Sequence, residues 1–474
     1  MSPVFDEAKY RALLEKLEVS EVKISDIDES LRIDSSFYTG ILCRYSKKIS
    51  SITHTYFRNE IFKASKGIFD IKADQYCSVG IPFVRIGNLT NMQIDLSEII
   101  YIPIEINAIH KTSALSFGDI IISKTAIPAA SIVTLPQCNT SQDTIAIQLK
   151  KEATINSFYT VAYLNSRYGL ALMENLFTGN IQKHFNLSDC KDKLPIPIFS
   201  TKLQNAIKVD MENGINRNER AKAVYIEAEQ LLLQELGLMN WQPDDESVAT
   251  KTFADFQNSG RLDAEYYQPK YDDLFKRISS YDKSRLGDIV NITKSIEPGS
   301  EAYQEDGVPF VRVSDITKFG ITPPEIHLDR AEYYSEDLIP KKNTILLSKD
   351  GSVGIAYKVE NDLDVITSGA LLHLTVKNND FLPDYLTLVL NSIVVKLQAE
   401  RDAGGSIIQH WKPSEIENVI IPKLPMPTQE QIAAKVQESF ALRRESKRLL
   451  ELAKHAVEVA IEQGEDVAIK LLEI

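Results

Sequence analysis

Apolar positions along the 474-residue chain follow two rhythms, and each rhythm occurs twice. Short runs rich in Ile, Val, Leu, Thr and aromatics, broken by Gly, Pro, Asp and Asn, predict strands. In the first half these are residues 81–90 (IPFVRIGNLT), 98–104 (EIIYIPI), 119–125 (DIIISKT) and 143–149 (DTIAIQL). In the second half they are residues 309–317 (PFVRVSDIT), 343–350 (NTILLSKD) and 370–376 (ALLHLTV). A helical stretch follows each set, over residues 157–176 and 384–400. Then come a glycine loop (177–185, FTGNIQKHF; 403–411, AGGSIIQHW), a proline-marked stop (194–200; 421–428) and a long closing helix.

The closing helices carry heptad spacing. Leu203, Ile207, Asp210, Gly214, Arg217, Ala221, Val224, Ala228 and Leu231 alternate at four and three residues, as do Ile432, Val436, Ser439, Arg443, Ser446, Leu450, Ala453, Val457 and Ala460. Both seams are apolar at the ends and polar in the middle. Thr428 with Gln431 reads as a capping box, and Gly237 and Gly464 read as helix stops. A 30-residue helix spans about 45 Å, and two in one chain favour an intramolecular pair, antiparallel if a pseudo-twofold relates the copies. The polar middles, residues 216–220 and 443–448, would face solvent, a partner or a target backbone.

The two halves also match in wording. Pro82-Phe83-Val84-Arg85 recurs as Pro309-Phe310-Val311-Arg312; RIDSSFY (32–38) matches RLDAEYY (261–267); GDIIISKT (118–125) matches NTILLSKDG (343–351); GNIQKHFNLSD (179–189) matches GSIIQHWKPSE (405–415). The shifts of 225 to 229 residues mark a domain-sized duplication, far longer than a solenoid repeat. Two similar readers imply a target with two similar halves.

Composition is that of an ordinary globular protein, with no apolar leader at the start and no run long enough to span a membrane. Cys43, Cys77, Cys138 and Cys190 lie far apart, all in the first half, so disulfide and zinc frameworks are not expected and a cytoplasmic location is. The net charge of −13 argues against a stand-alone, tight nucleic-acid binder. It is not uniform, however: residues 240–259 are acidic, whereas residues 81–200 hold nine Lys/Arg and nine Asp/Glu, which leaves room for a local basic cleft.

Catalytic signatures are missing. There is no GxxxxGK[ST] loop, no GxGxxG, no HExxH and no paired CxxC. TPPE (322–325) lacks the aromatic that an adenine methyltransferase quartet requires, and His54, His110, His184, His327, His373, His410 and His455 are scattered. A recognition protein without its own active site, binding no metal, is the economical reading. A stand-alone DNA-modifying enzyme and a duplicated scaffold that binds only protein are the alternatives.

Three duplicated features suit polar recognition. Arg85 with Asn88, and Arg312 with Ser314 in the matching segment, can contact guanine or phosphate, or else form an internal salt bridge to the RxD segment. Lys124 and Thr125, and Lys349 with Ser352, end an apolar strand where an ammonium can approach phosphate; the alternative is an ordinary exposed lysine. The glycine loops offer Asn180, Gln182, Lys183 and His184, and Gly405, Ser406, Gln409 and His410, with close backbone approach and side chains able to read bases. The alternative there is a structural turn holding a buried Phe185 or Trp411.

The RxDxxxY start, the PFVRxxDI segment, the LLSKDGSVG strand-turn and the G-x-I-x-x-H-W loop before IP-x-x-P and a long helix together resemble the DNA specificity subunit of Type I restriction–modification systems. The likeness runs over about residues 20–470, cleaner in the second copy. It implies an α+β architecture of two mixed α/β target recognition domains in pseudo-twofold arrangement, separated by two long helices that form an antiparallel coiled coil. The expected division is an N-terminal segment (1–20), recognition domain one (21–200), a central helix (201–238), an acidic linker (239–259), recognition domain two (260–427) and a closing helix (428–474). The resemblance further implies recognition of a bipartite, asymmetric site in double-stranded DNA and docking of two modification subunits and of motor-nuclease restriction subunits. The partners, not this chain, would use S-adenosylmethionine, ATP and Mg, in the service of phage defence.

Overall fold

The computed structural model describes residues 22–24, 37–90, 92–178, 183–243, 246, 248–403 and 409–473. Most of the first RxD segment, Asn180, Gln182, Gly405 and Ser406 lie outside them. The chain divides into two compact units, Met1–Asn218 with Arg444–Ile474, and Glu219–Arg443. Unit 1 therefore draws on two separate stretches of sequence, which the linear pattern does not reveal.

In unit 1 the apolar runs become β1 (Ile61–Lys66), β2 (Ile81–Val84), β3 (Ile100–Ile102), β4 (Ile120–Ser123), β5 (Ala130–Ile132), β6 (Asn139–Thr140) and β7 (Thr144–Leu149). An antiparallel sheet has the order β1-β7-β4-β5, and a second sheet has the order β3-β2-β6, with β2 and β6 parallel. The two-residue side-chain period sorts β4: Ile120 and Ile122 join the main core, while Ile121 packs on the other side with Val84 and Val133.

Unit 2 repeats this plan with β8 (Val290–Lys294), β9 (Val308–Val311), β10 (His327–Leu328), β11 (Ile345–Ser348), β12 (Ala356–Lys358), β13 (Ile366–Thr367) and β14 (Leu371–Val376). The orders are β8-β14-β11-β12, antiparallel, and β10-β9-β13, with β9 and β13 parallel. The proline-marked stops are themselves short strands, Pro195–Pro197 on His54–Tyr56 and Ile420–Pro422 on Lys283–Arg285. Each is one side of a two-stranded ribbon, where the amide that proline lacks is not missed.

The helical stretches expected over 157–176 and 384–400 are each two helices. Ser157–Leu164 and Arg167–Leu176 meet at Asn165-Ser166, and Pro383–Leu390 and Ile393–Asp402 meet at Asn391-Ser392. The asparagine ties the break to the sheet, through Nδ2 to the Ala130 carbonyl and to the Ala356 carbonyl, both at 2.7 Å. The serine hydroxyl caps the next helix.

The long helices are α1 (Thr201–Glu235) and α2 (Met426–Gln463). Helix α2 begins two residues before Thr428, so Thr428 sits in the first turn and is not its N-cap: its amide bonds to the Pro425 carbonyl. Gly237 and Gly464 do end the helices, with φ of 64° and 96°. Of the expected seam, Leu203, Ile207, Gly214, Ala221, Val224 and Ala228 are buried on α1, and all positions on α2 except Arg443. Met211 and Leu232 take the burial that four-three spacing assigns to Asp210 and Leu231.

Within unit 1, Leu203, Ile207 and Met211 share a core with Leu450, Ala453 and Val457, and a Cβ at Gly214 would stand 3.0 Å from the Leu450 side chain. Within unit 2, Tyr225, Ala228 and Leu232 share a core with Ile432, Val436 and Phe440, and Ser439 Oγ donates to the Ala221 carbonyl at 2.7 Å. The polar middles have internal partners: Arg443 stacks 3.7 Å from the Phe319 ring centre, and Arg448 pairs with Glu445 at 2.9 Å. Burial raises the Asp210 carboxyl above its ordinary range against the opposing pull of Arg448.

One buried glutamine marks the start of each long helix. Gln204 accepts from the Asn156 amide (2.8 Å) and donates to the Thr154 and Phe199 carbonyls (both 2.9 Å). Gln429 accepts from the Leu382 amide (3.0 Å) and donates to the Asp380 (3.0 Å) and Leu424 (2.9 Å) carbonyls.

Candidate nucleic-acid interface

The three duplicated polar features meet, in each unit, through a segment the sequence does not single out. In unit 1 this is Ser141–Asp143, between β6 and β7. The Ser141 amide bonds to the Val84 carbonyl, next to Arg85, and the Lys124 amide bonds to the Asp143 carbonyl. In unit 2 residues 368–370 do the same, from the Ser368 amide to the Val311 carbonyl, next to Arg312, and from the Lys349 amide to the Ala370 carbonyl. The arginine at the end of one strand and the lysine at the end of another are thus held a few residues apart. The one advance sign of this linker is that its last residue, Asp143 or Ala370, opens the DTIAIQL or the ALLHLTV run.

The glycine loop closes onto the same lysine. In unit 1 the Phe185 amide donates to the Lys124 carbonyl (2.8 Å) and Thr125 pairs in β fashion with His184. In unit 2 the Trp411 amide donates to the Lys349 carbonyl (2.8 Å), the Gly351 amide to the Gln409 carbonyl (3.0 Å), and Asp350 pairs with His410. Phe185 and Trp411 are both buried, so the aromatic end of the loop is part of the core. Lys183, Gln409 and His410 are exposed just outside it, and His184 is half-buried.

A serine shapes each strand-end turn. Ser123 Oγ donates to the Ile127 carbonyl (2.7 Å) and accepts from the Ala129 amide (2.8 Å); Ser348 Oγ donates to the Ser352 carbonyl (2.6 Å) and accepts from the Ile355 amide (2.8 Å). Gly351 and Gly354 take φ of 72° and 86° in the second turn. The side chain of Ser352 is left exposed.

The lysines are not free strand-end charges. Lys124 Nζ donates to the Gln142 carbonyl at 3.3 Å. Lys349 is buried and paired with Asp350, whose other oxygen lies 2.9 Å from His410 Nδ1. Burial pushes the Asp350 carboxyl up, but the hydrogen bonds from Lys349 and His410 outweigh it and hold the group below its usual range.

The arginine partners come from their own turns. Arg312 Nε stands 3.5 Å from Asp315 Oδ2, and Ser314 Oγ donates to Asp315 Oδ1 at 3.0 Å. The RxD aspartate does not reach it: Asp263 is held bidentately by Arg261 at 2.6 Å, and Arg261 Nη1 also donates to the Asp402 carbonyl (3.1 Å) at the end of helix Ile393–Asp402. Asn88 is buried, with Oδ1 accepting from the Arg85 amide (2.9 Å) and Nδ2 donating to the Asp95 carbonyl (3.1 Å). Its side chain closes a turn and offers nothing outward.

Among the described residues no helix is long and apolar enough to cross a membrane, and no group of three or more His, Cys, Asp or Glu could hold a metal ion. All four cysteines are unpaired.

Comparisons with known proteins bear on residues 278–452, which match the family described as Type I restriction modification DNA specificity domain. No curated protein matches the chain. Similar solved structures include the S subunit of a Type I restriction–modification system from M. genitalium, 13% identical, covering 89% of this chain and 95% of that one with a TM-score of 0.38. An HsdS subunit from Thermoanaerobacter tengcongensis is 16% identical over 87% and 97%, with a TM-score of 0.28. The type IIG restriction endonuclease BpuSI is 10% identical over 43% of this chain and 35% of that one, with a TM-score of 0.29. Over residues 278–452, somewhat more than a third of its length, the chain is similar to the Type I restriction modification DNA specificity domain family.

Proposed function

We propose that this chain is the non-catalytic reading subunit of a Type I restriction–modification complex. Each unit reads one half of a bipartite, asymmetric site in double-stranded DNA. The observation that carries this is the repetition, on the same strand framework, of an arginine and a lysine joined by one short segment and closed by a loop with exposed Gln, Lys or His. The frame is shared while the exposed side chains differ, so the two half-sites differ. The long helices act as an antiparallel spacer; in each unit separately, early α1 positions meet late α2 positions or the reverse, which supports that pairing. At about 1.5 Å per residue such helices suit half-sites a little over one turn, about 34 Å, apart.

In this reading the chain docks two modification subunits that methylate adenine with S-adenosylmethionine, and through the complex the restriction subunits that use ATP and Mg. Its charge of −13 fits a subunit whose DNA affinity is shared with partners. The unpaired cysteines support a reducing, cytoplasmic setting.

The test is to co-express the chain with its modification subunit and map the methylated adenines genome-wide. A two-part motif with a fixed gap is expected; methylation without a motif, or turnover by this chain alone, refutes the reading. Replacing residues 81–200 with those of another family member should change one half of the motif only. Deleting about four residues from α1 should change the gap and leave both halves intact.

A further inference from the structure

The same turn follows the same strand in both units, yet it treats its arginine differently. In unit 2, Asp315 Oδ2 accepts the Arg312 amide at 2.8 Å and stands 3.5 Å from Arg312 Nε, so the turn that positions the guanidinium also neutralises it. In unit 1, Asn88 Oδ1 accepts the Arg85 amide at 2.9 Å, the same cap without the charge. Neither Nε is hydrogen-bonded. The difference is that Arg85 has no ion pair among the described residues, and its guanidinium reaches only the Glu98 carbonyl, at 3.5 Å.

Arg85 lines a cleft of about 730 Å³ together with Asp70, Asp95, Glu98, Asp143 and Phe83. Four carboxylates around one cation repel phosphate, so the cleft does not suit a nucleic-acid backbone. It does suit a base edge. An arginine fork donates to O6 and N7 of guanine, and carboxylates accept from the amino group of the paired cytosine. We infer that Arg85 is the specificity-determining residue of unit 1, reading the guanine of a G·C pair in the major groove, and that Arg312, clamped by Asp315, has no such role. This rests on the DNA-reading function proposed above.

The experiment uses the full chain co-expressed with its modification subunit, and selects bound sequences from a random DNA pool. The wild-type motif is read first; if there is none, the DNA-reading proposal fails and the role of Arg85 falls with it. Given a wild-type motif, Arg85→Ala and Arg85→Lys should abolish the preference for guanine at one position of one half-site, lowering discrimination there by roughly ten- to a hundredfold. Asn88→Asp should do the same with Arg85 in place, because it installs the carboxylate clamp that the equivalent turn in unit 2 already accommodates. Arg312→Ala, in the other unit, should leave that guanine preference as it was. Two outcomes overturn the inference: an unchanged motif in Asn88→Asp and the Arg85 variants, or a uniform loss of affinity over all sequences, which would make Arg85 a phosphate contact.

Discussion

Replacing Gln429 by Leu removes one side chain and three hydrogen bonds. Gln429 is fully buried, and it holds the Leu382 amide and the Asp380 and Leu424 carbonyls at 2.9–3.0 Å. Leucine fills much of the same volume but leaves one donor and two acceptors without that partner. At about 1 kcal/mol net for each bond, and more wherever the stranded group stays dry, the loss is about 3 kcal/mol. In a unit of some 225 residues (219–443), where 1 kcal/mol moves the midpoint by roughly 2–4 °C, the transition should fall by about 6–12 °C. Differential scanning calorimetry of the full chain measures it. Gln204→Leu supplies the control: its three partners belong to unit 1, so it should depress that unit's transition by a similar amount, and the double variant should show both losses undiminished, as expected for sites that share no partner. A loss below about 1 kcal/mol at both positions would refute the reasoning, because it would mean that the stranded backbone groups find water or other partners and that the glutamine is not what ties the long helix to the segments around residues 380–382 and 154–156.

Other outcomes follow from buried charge. His373 lies in the core of unit 2 against Thr367 Oγ1 at 2.8 Å, and burial lowers its pKa to about 4; the unfolded chain protonates it near 6.5, so the stability it contributes is complete above pH 6.5 and is lost as pH falls toward 4. That loss amounts to about 2 kcal/mol by pH 5, and His373→Gln should flatten the pH dependence of thermal unfolding between pH 7 and 5. Lys358 and Asp384 form a buried pair at 2.6 Å, so Lys358→Ala, which removes the carboxylate's cation and leaves it the Gln437 side chain at 2.8 Å, should cost about 3 kcal/mol in chemical denaturation. Strand registers and the paired asparagines place Ile132 and Phe158 of unit 1 at the matching positions, so Lys358→Ile with Asp384→Phe should recover most of that loss.

What the chain's pattern announces is its frame. The apolar runs Ile120–Ser123 and Ile345–Ser348 become central strands because all their positions are buried, with Gly118 and Asn343 turning the chain just ahead of them at φ of 88° and 67°, and the seam residues from Ile432 to Ala460 are buried because a helix of that period has one dry face. What it conceals is closure. Asn165-Ser166 and Asn391-Ser392 stop and restart helices inside an apolar periodicity that reads as continuous. Lys349 looks like an exposed strand end because its carboxylate partner, Asp350, is fixed in place by a histidine sixty positions later, at 410. Asn88 looks like a reader because its use as a turn cap depends on the backbone of residues 85 and 95, which no spacing rule brings together.

Unit 1 takes its core from two stretches that are 225 residues apart in the order of synthesis, since residues 219–443 lie between them. Leu203, Ile207 and Met211 leave the ribosome well before Leu450, Ala453 and Val457, against which they pack. At about 5–20 residues per second the delay is roughly ten to fifty seconds. Unit 2, contiguous in the chain, completes its own core first. The half made first is therefore finished last, and it waits with an apolar ridge uncovered. A nonsense mutation just after Arg443 would leave unit 2 with its full set of residues and strike instead at unit 1, encoded mostly at the opposite end of the gene.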